Sequence, residues 1–342
     1  MTQLPLNPQL ANCPNCGERE KIWIHSQKER RFKCVSCGRT FAETSGTIFY
    51  QLQYPMWLVV VVVTLLAYGC PVPAIVAAFA LEERTVVSWL SKAGSFVKTL
   101  QEQLVCQGQV QLHQVQADEL CVKVQGKKVW VATAIEVFSR LFLWGEVGLK
   151  RDKGLVERLL HKVRSAAASV TTPLLFAVDG FAAYPKAILK IFHVKEQTGQ
   201  RGRPRHLPWP KLNIVQVVKQ RTGYKLKSIS RRVLHGCRDQ AFSLIALSQC
   251  DLGQFNTAYI ERLNATFRAR MPSLNRRTRH LARTLSRIEV ELFWSGVVYN
   301  FCTIHTSLGA TPAMAAALTD HVWSIQELLC FKLPDPLLHD AL

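Results

Sequence analysis

Two cysteine pairs constrain the start of this chain more tightly than any other feature in it. They are Cys13-Pro14-Asn15-Cys16-Gly17 and Cys34-Val35-Ser36-Cys37-Gly38, with 17 residues between Cys16 and Cys34. Two CxxC knuckles at this spacing can present four thiolates at the corners of a tetrahedron, which is the arrangement zinc prefers. A glycine follows each pair, where a knuckle turns its backbone sharply. Ile22-Trp23-Ile24-His25 and Arg31-Phe32-Lys33-Cys34 read as a short hairpin between the pairs. The expectation is a zinc ribbon over residues 1–45, holding one structural Zn2+ through Cys13, Cys16, Cys34 and Cys37. Redox-active cysteines are the alternative. The total of 11 cysteines is odd, and those outside the pairs are scattered, so a reducing compartment with a metal site fits better than a disulfide framework.

The hairpin is basic, through Lys28, Arg30, Arg31 and Lys33, and so is the whole chain. Lys+Arg number 43 against 24 Asp+Glu, a formal net charge of +19. Such an excess calls for a polyanionic partner, with nucleic acid the first choice and an anionic membrane surface the second. Hydrophobic residues make up 48%, enough for a sizeable core, which excludes a largely disordered or collagenous chain. The first fifteen residues carry no secretory signal pattern. The apolar run from Met56 to Tyr68 falls short of the roughly 20 residues that span a bilayer. Extending it to Leu81 would place Pro71 and Pro73 mid-helix, so a buried helix is expected and no membrane partner.

Residues 55–94 read as three helices. The first follows Pro55, the second runs from about Val72 to Leu81, and the third from Arg84 to Lys92 with Val86, Trp89 and Leu90 facing inward. Two short helices joined by a tight turn suggest a helix-turn-helix that reads DNA, or else a plain three-helix packing unit. Its exposed face would show Arg84, Thr85, Ser88, Ser91 and Lys92. Residues 95–111 form a polar, Gln-rich stretch that reads as the end of a helix followed by a linker, so the helix-turn-helix and its linker are assigned to 55–107, with a domain boundary near Gln107-Gly108.

From Leu112 the period changes to that of strands. His113 to Val124, Val129 to Ile135 and Leu141 to Val147 predict three antiparallel strands. A helix over Asp152 to Ala168, the apolar strand Leu174 to Val178 and a helix near Tyr184 to Phe192 come next. This order predicts a mixed sheet with flanking helices, an α/β core over 112–310, followed by a tail over 311–342. Asp118 interrupts an apolar strand, and Asp179 ends a buried one, where ligands gather in parallel sheets. A third acid, Glu261, lies in a helical pattern whose apolar stripe is Ile260, Leu263 and Phe267. Three carboxylates on adjacent elements can hold two divalent ions that clamp the attacking and leaving oxygens of a phosphodiester. Magnesium suits such hard oxygen ligands. Glu289 and Glu291 are weaker rivals for the third position.

Ala117-Asp118-Glu119, Val178-Asp179-Gly180 with Tyr184, and Tyr259-Ile260-Glu261-Arg262-Leu263-Asn264 resemble the motifs of the DDE transposases of bacterial and archaeal insertion sequences. The likeness is closest to the type named insertion sequence one and covers nearly the whole chain. The resemblance implies an RNase H-like fold behind a zinc ribbon and an all-α helix-turn-helix. It implies that Asp118, Asp179 and Glu261 are the catalytic and metal-holding triad, with two Mg2+ or Mn2+. It further implies a DNA-bound homodimer or higher homo-oligomer in the prokaryotic cytoplasm, near the nucleoid. The activity implied is binding of terminal inverted repeats, DNA cleavage and strand transfer. A domesticated transcription regulator that no longer cuts and a nuclease that cleaves without joining are the rivals.

Two further segments are rich in arginine. A basic insertion near 196–235 contains Arg201, Arg203 and Arg205 in an Arg-Gly-Arg-Pro-Arg run, which resembles a minor-groove AT-hook or reads as a solvated basic loop. After Glu261, no acid intervenes before Glu289, while Arg262, Arg268, Arg270, Arg276, Arg277, Arg279, Arg283 and Arg287 do. These arginines, with Asn264, are expected to face a phosphate backbone. Near the end, Tyr299-Asn300-Phe301, His305 and Thr311-Pro312-Ala313 resemble a tail shared by integrase-like transposases, although the usual arginine is missing from Thr303-Ile304-His305. Packing is the plainer role for this tail.

Overall fold

The computed structural model describes residues 6–8, 11–196, 204–223, 225–248, 253–274 and 282–332. Its first element is a three-stranded antiparallel sheet of β1 (Ile22–Ser26), β2 (Arg31–Cys34) and β3 (Thr40–Ala42), in that order. Phe32 and Phe41 are register partners across β2 and β3, with ring centroids 5.7 Å apart. The interior here is no more than Leu6, Ala11, Ile22, Phe32 and Phe41 around Cys13 and Cys34. So little apolar area cannot offset the entropy of ordering the segment, and a cross-link must supply the rest.

Three helices follow: α1 (Met56–Ala67), α2 (Val72–Phe79) and α3 (Glu83–Leu104). Ala80 ends α2 in the left-handed region at φ 50°, and three residues separate α2 from α3. The apolar run is thus a 12-residue helix, with Val59, Val62, Val63 and Leu66 buried. No helix among the described residues is long and apolar enough to cross a membrane.

The third helix is longer than Arg84 to Lys92 and runs for 22 residues, so the Gln-rich stretch does begin as the end of a helix. Val86, Trp89, Leu90, Ala93, Phe96, Val97 and Leu100 form a continuous buried stripe at helical spacing. Gln101 and Gln103 lie in its last turns, and Gln101 is itself fully buried. Its amide donates to Phe142 O at 2.8 Å and to Leu143 O at 3.1 Å.

The remaining elements are β4 (Gln114–Val124), β5 (Lys127–Glu136), β6 (Phe142–Gly148), α4 (Lys153–Ala166), β7 (Leu174–Val178), α5 (Ala183–Ile191), β8 (His193–Glu196), β9 (Arg205–Pro208), β10 (Leu212–Thr222), β11 (Lys225–His235), α6 (Arg238–Leu247), α7 (Ala258–Arg270), α8 (Leu285–Cys302), α9 (Pro312–Ala315) and α10 (Ile325–Cys330). A six-stranded sheet takes the order β11-β10-β7-β4-β5-β6. β4, β5 and β6 are antiparallel neighbours, β7 runs parallel to β4, β10 parallel to β7, and β11 returns antiparallel. The predicted mixed sheet with flanking helices is therefore present. α4 lies on β5 and β6, α7 on β4 and β5, and α8 fills the space between β6 and α3.

One hydrophobic core runs from Ile48 to Leu329, taking in α1, α3, the sheet, α8 and α10. Residues on both sides of Gln107, and Ala313, Trp323, Leu328 and Leu329 after 310, pack into this same core. The tail motif is a packing device. Asn300 Oδ1 accepts from Phe142 N at 2.9 Å, Asn300 Nδ2 donates to Phe142 O at 2.8 Å, and Tyr299 donates to Arg140 O at 3.1 Å. Gln101 and Asn300 thus tie α3, α8 and β6 together from inside.

The α3–α8 crossing depends on Gly94. A Cβ there would stand 2.6 Å from both Val290 O and Val290 Cγ1. Alanine normally favours a helix interior over glycine by about 0.5–1 kcal/mol. Here the contact is with backbone, so Gly94→Ala is expected to lower stability by about 1–3 kcal/mol, as overpacking does. Thermal melting checks it, and a stabilised variant would disprove this close approach.

Candidate functional site

Four thiols converge in the N-terminal sheet. The sulfurs of Cys13, Cys16, Cys34 and Cys37 all lie within 4.8 Å of one another. Cys13 Sγ is 3.5 Å from Cys37 Sγ, and Cys16 Sγ is 3.6 Å from Cys34 Sγ. Gly17 and Gly38 stand at φ 72° and 71°, the left-handed turn each knuckle requires. Burial works to raise the Cys13 thiol, but the backbone of Asn15 and Cys16 outweighs it and brings the group down to about 7. A thiol so placed is readily available as thiolate. This cluster can hold a metal ion.

The second convergence is set by strand register. β4 and β7 pair in parallel as far as Ala117 opposite Val178. β7 stops there, while β4 continues beside β5. The next residue on each chain is an aspartate, so Asp118 and Asp179 emerge side by side at the end of β7. Glu119 follows on β4. Oxygens of Asp118, Glu119 and Asp179 lie within 4.8 Å of one another, an acidic group that can hold a metal.

Each carboxylate has a distinct setting. Asp118 lies opposite Thr133 on β5. Asn264, on α7, spans the two: its Nδ2 donates to Asp118 Oδ2 at 3.0 Å, and its Oδ1 accepts from Thr133 Oγ1 at 2.8 Å. Burial is the main cause that pushes the Asp118 carboxyl above its usual range, and the charges of Asp179 and Glu261 push the same way. Asp179 Oδ1 accepts from Phe181 N at 2.9 Å, which fixes the turn after β7. Glu119 is buried, and burial raises it as well. Its Oε2 accepts from Arg151 Nε at 2.9 Å. Tyr184 on α5 is fully buried beside Glu119, and its hydroxyl is close enough to favour the Glu119 carboxylate.

Glu261 stands apart from this group. It sits in the first turn of α7 and is half exposed, with its side chain 48% accessible. Its Oε1 accepts from Thr257 Oγ1 at 2.7 Å and pairs with the Lys219 ammonium. It is near enough for its charge to act on Asp118. The structure therefore joins Asp118, Asp179 and Glu119 and leaves Glu261 at the rim. The rival acids are engaged elsewhere. Glu289 accepts from Lys98 at 2.7 Å, and Glu291 accepts from Arg287 at 2.6 Å and Ser273 at 2.5 Å.

Of the residues expected to touch DNA, Asn264 is buried and Arg270 is half-buried against aromatic rings. Asn264 is 1% exposed and serves Asp118 and Thr133. The Arg270 guanidinium lies over the Tyr68 ring at 4.8 Å and the Tyr299 ring at 6.0 Å, and donates to Thr303 Oγ1 at 3.2 Å. Burial lowers its pKa, and its Nη1 is enclosed. The side chain at each position turns inward because the α7 face that carries it packs on the core. Arg84, Ser88, Arg205 and Arg262 are exposed, and Thr85, Lys92 and Arg268 are half-buried. Arg201, Arg203, Arg276 and Arg277 lie outside the described residues.

Sequence reasoning gave no role to Glu119, Arg151 or Lys219. Glu119 carried a signal, since a carboxylate in a strand covered on both faces needs a counter-charge. Arg151 and Lys219 carried none, being two cations in a strongly basic chain. Compared with known proteins, the chain matches no family model and no curated sequence.

The buried carboxylates make a stability prediction. A carboxyl whose folded-state pKa is raised binds its proton more tightly folded than unfolded. Stability then falls as pH rises from the unfolded value, about 3.9 for Asp, through the raised folded value, and stays low above it. In magnesium-free buffer, Asp118→Asn is therefore expected to melt higher than the wild type near neutral pH. The gain should shrink as pH is lowered to about 4. A constant difference across that range would contradict the assigned burial.

Proposed function

We propose that this chain is a metal-dependent enzyme that cuts and joins DNA, a DDE-type transposase acting on the ends of its own element. The observation that carries this reading is the pair Asp118 and Asp179, side by side where a central parallel strand ends, with Glu261 at the rim near enough for its charge to act on Asp118. The strand order supports it. Three antiparallel strands followed by two parallel ones, β6-β5-β4-β7-β10, with β11 at the edge, is compatible with the RNase H-like sheet this reading expects.

Asp118, Asp179 and Glu261 would hold two divalent ions, which when bound supply activation of the attacking oxygen and stabilisation of the leaving one. The chain's own residues do the rest. Asn264 and Thr133 fix the Asp118 carboxylate in one orientation, and the Phe181 N–H fixes that of Asp179. The exposed Arg84 and Ser88 on α3 and Arg262 on α7 are placed to take phosphates and position a DNA end. Water would be the first nucleophile and the freed 3′ hydroxyl the second, so no covalent protein intermediate is required.

The cysteine cluster fits zinc. Tetrahedral coordination at about 2.3 Å puts neighbouring sulfurs about 3.8 Å apart. The two measured pairs, at 3.5 and 3.6 Å, are close to that. Zinc would replace the missing core of the N-terminal sheet, making it a zinc ribbon.

A second reading has a specific observation in its favour. Asp179 and Glu261 each carry a basic partner, which a DNA-binding regulator that no longer cuts could retain for stability alone.

Two experiments test these readings. Purified protein should contain about one zinc per chain, and Cys34→Ser should lose it. Unchanged metal content would reject the ribbon. Magnesium-dependent cleavage of a labelled DNA end, taken from the sequence flanking the gene, should fall by orders of magnitude in Asp118→Asn, Asp179→Asn and Glu261→Gln. Gel-shift binding should persist in all three, and Glu289→Gln should still cut. Binding without cleavage in the wild type would favour the regulator.

A further inference from the structure

The two cations at the acidic site are arranged in different ways. Arg151, in the turn before α4, is held on several sides. Its Nε and Nη2 stand 2.9 and 2.7 Å from Glu119 Oε2, and its Nη2 reaches Asp179 Oδ2 at 3.2 Å. The Phe181 ring lies 4.3 Å from the guanidinium and the Trp130 ring 5.4 Å. The Glu119 side chain has no exposed surface, whereas 35% of the Arg151 side chain remains open to solvent. Lys219 has one partner described, Glu261. It lies on β10 beyond Gln216, the last residue in register with β7. That places it at the foot of the β10–β11 ribbon, whose Lys225, Lys227 and Arg232 face solvent.

Arg151 bridges the buried Glu119 and the more open Asp179, and Lys219 pairs with the half-exposed Glu261 at the rim. Asp118 has no cation described against it, its side-chain donor being the neutral Asn264. A guanidinium or ammonium in contact with a carboxylate oxygen occupies the place a divalent ion would take. Both groups are also good phosphate ligands, and Arg151 is anchored through Glu119, so its Nη2 can change partner without the side chain leaving.

We propose that Arg151 and Lys219 are internal counter-ions that compete with divalent metal for Asp179 and Glu261. A DNA phosphate relieves the competition by taking both as its own partners. Metal loading and DNA binding are thereby coupled, and by linkage each tightens the other by the same factor. Without DNA the site holds metal weakly. This rests on the metal-binding reading above.

The test measures Mn2+ binding to the full-length, zinc-loaded protein by electron paramagnetic resonance of the free ion. It is run with and without a short random-sequence duplex, with the duplex's own uptake subtracted. Wild type is expected to bind Mn2+ at least about fivefold tighter with DNA, within the usual range of coupling between sites. Lys219→Met and Arg151→Met should each bind about tenfold tighter than wild type without DNA, and gain less from the duplex. Lys123→Met removes an exposed charge on β4 that touches none of the acids, and should change binding less than twofold. Arg151→Met leaves Glu119 buried without a counter-charge, so melting is recorded beside it. Arg151→Met with Glu119→Gln removes that problem, and Lys219→Met decides alone if neither Arg151 variant folds.

The outcomes separate the two levels. If Asp118→Asn abolishes Mn2+ binding but the counter-ion variants bind no more tightly than wild type, the proposal fails and the metal site stands. The proposal also fails if Lys123→Met matches Lys219→Met, or if DNA leaves wild-type affinity unchanged. If Asp118→Asn binds Mn2+ as wild type does, the metal site itself is wrong.

Discussion

Like charges crowded at the end of one strand govern the centre of this molecule. At about 4 Å, two unit charges in a surface-like environment repel by about 4 kcal/mol. Asp118, Glu119 and Asp179 are brought closer than 4.8 Å by register alone, because β7 ends opposite Ala117 while β4 runs on. The neighbouring elements answer that repulsion. Asn264 is buried to donate to Asp118, Arg151 is threaded between Glu119 and Asp179, and Lys219 meets Glu261 from the ribbon side. Several side chains that would otherwise pass as ordinary polar residues owe their positions to this one electrostatic problem.

Much of this was legible in the chain. The CxxC spacing named all four thiols, and the glycines after them marked the left-handed turns. Alternation placed β4, β5 and β6 within two residues, and the apolar run Leu174–Val178 coincides with β7. Asp118 and Asp179 stood out because a carboxylate is costly in a buried strand. What escaped detection depended on contacts between distant segments. Asn264 and Arg270 lie in an arginine-rich stretch and read as DNA ligands, yet the α7 face that carries them turns inward. Their partners, Thr133 and Thr303, are far away in sequence or carry no pattern of their own. The length of α3 was hidden by composition, since Gln101 is a polar residue whose amide satisfies β6 carbonyls inside the core.

The two sites also differ in how they are supported. The cysteine cluster sits in a fold with almost no interior and depends on whatever the thiols bind. The acidic site stands on the main core and is braced by internal hydrogen bonds and ion pairs. Loss of a ligand should unfold the first locally and leave the second in place.

The long helix α3 has a consequence for how this chain can change over time. At about 1.5 Å per residue, α3 carries the exposed Arg84 about 26 Å from Gln101, which is tied to β6. Whatever the first turns grip is rigidly indexed to the central sheet, like a handle forged in one piece with its blade. Families that swap recognition modules do so at flexible joints, and this helix offers none there. What the outer face of α3 presents can change only by point substitution there, because the buried stripe on its other side is fixed by the core.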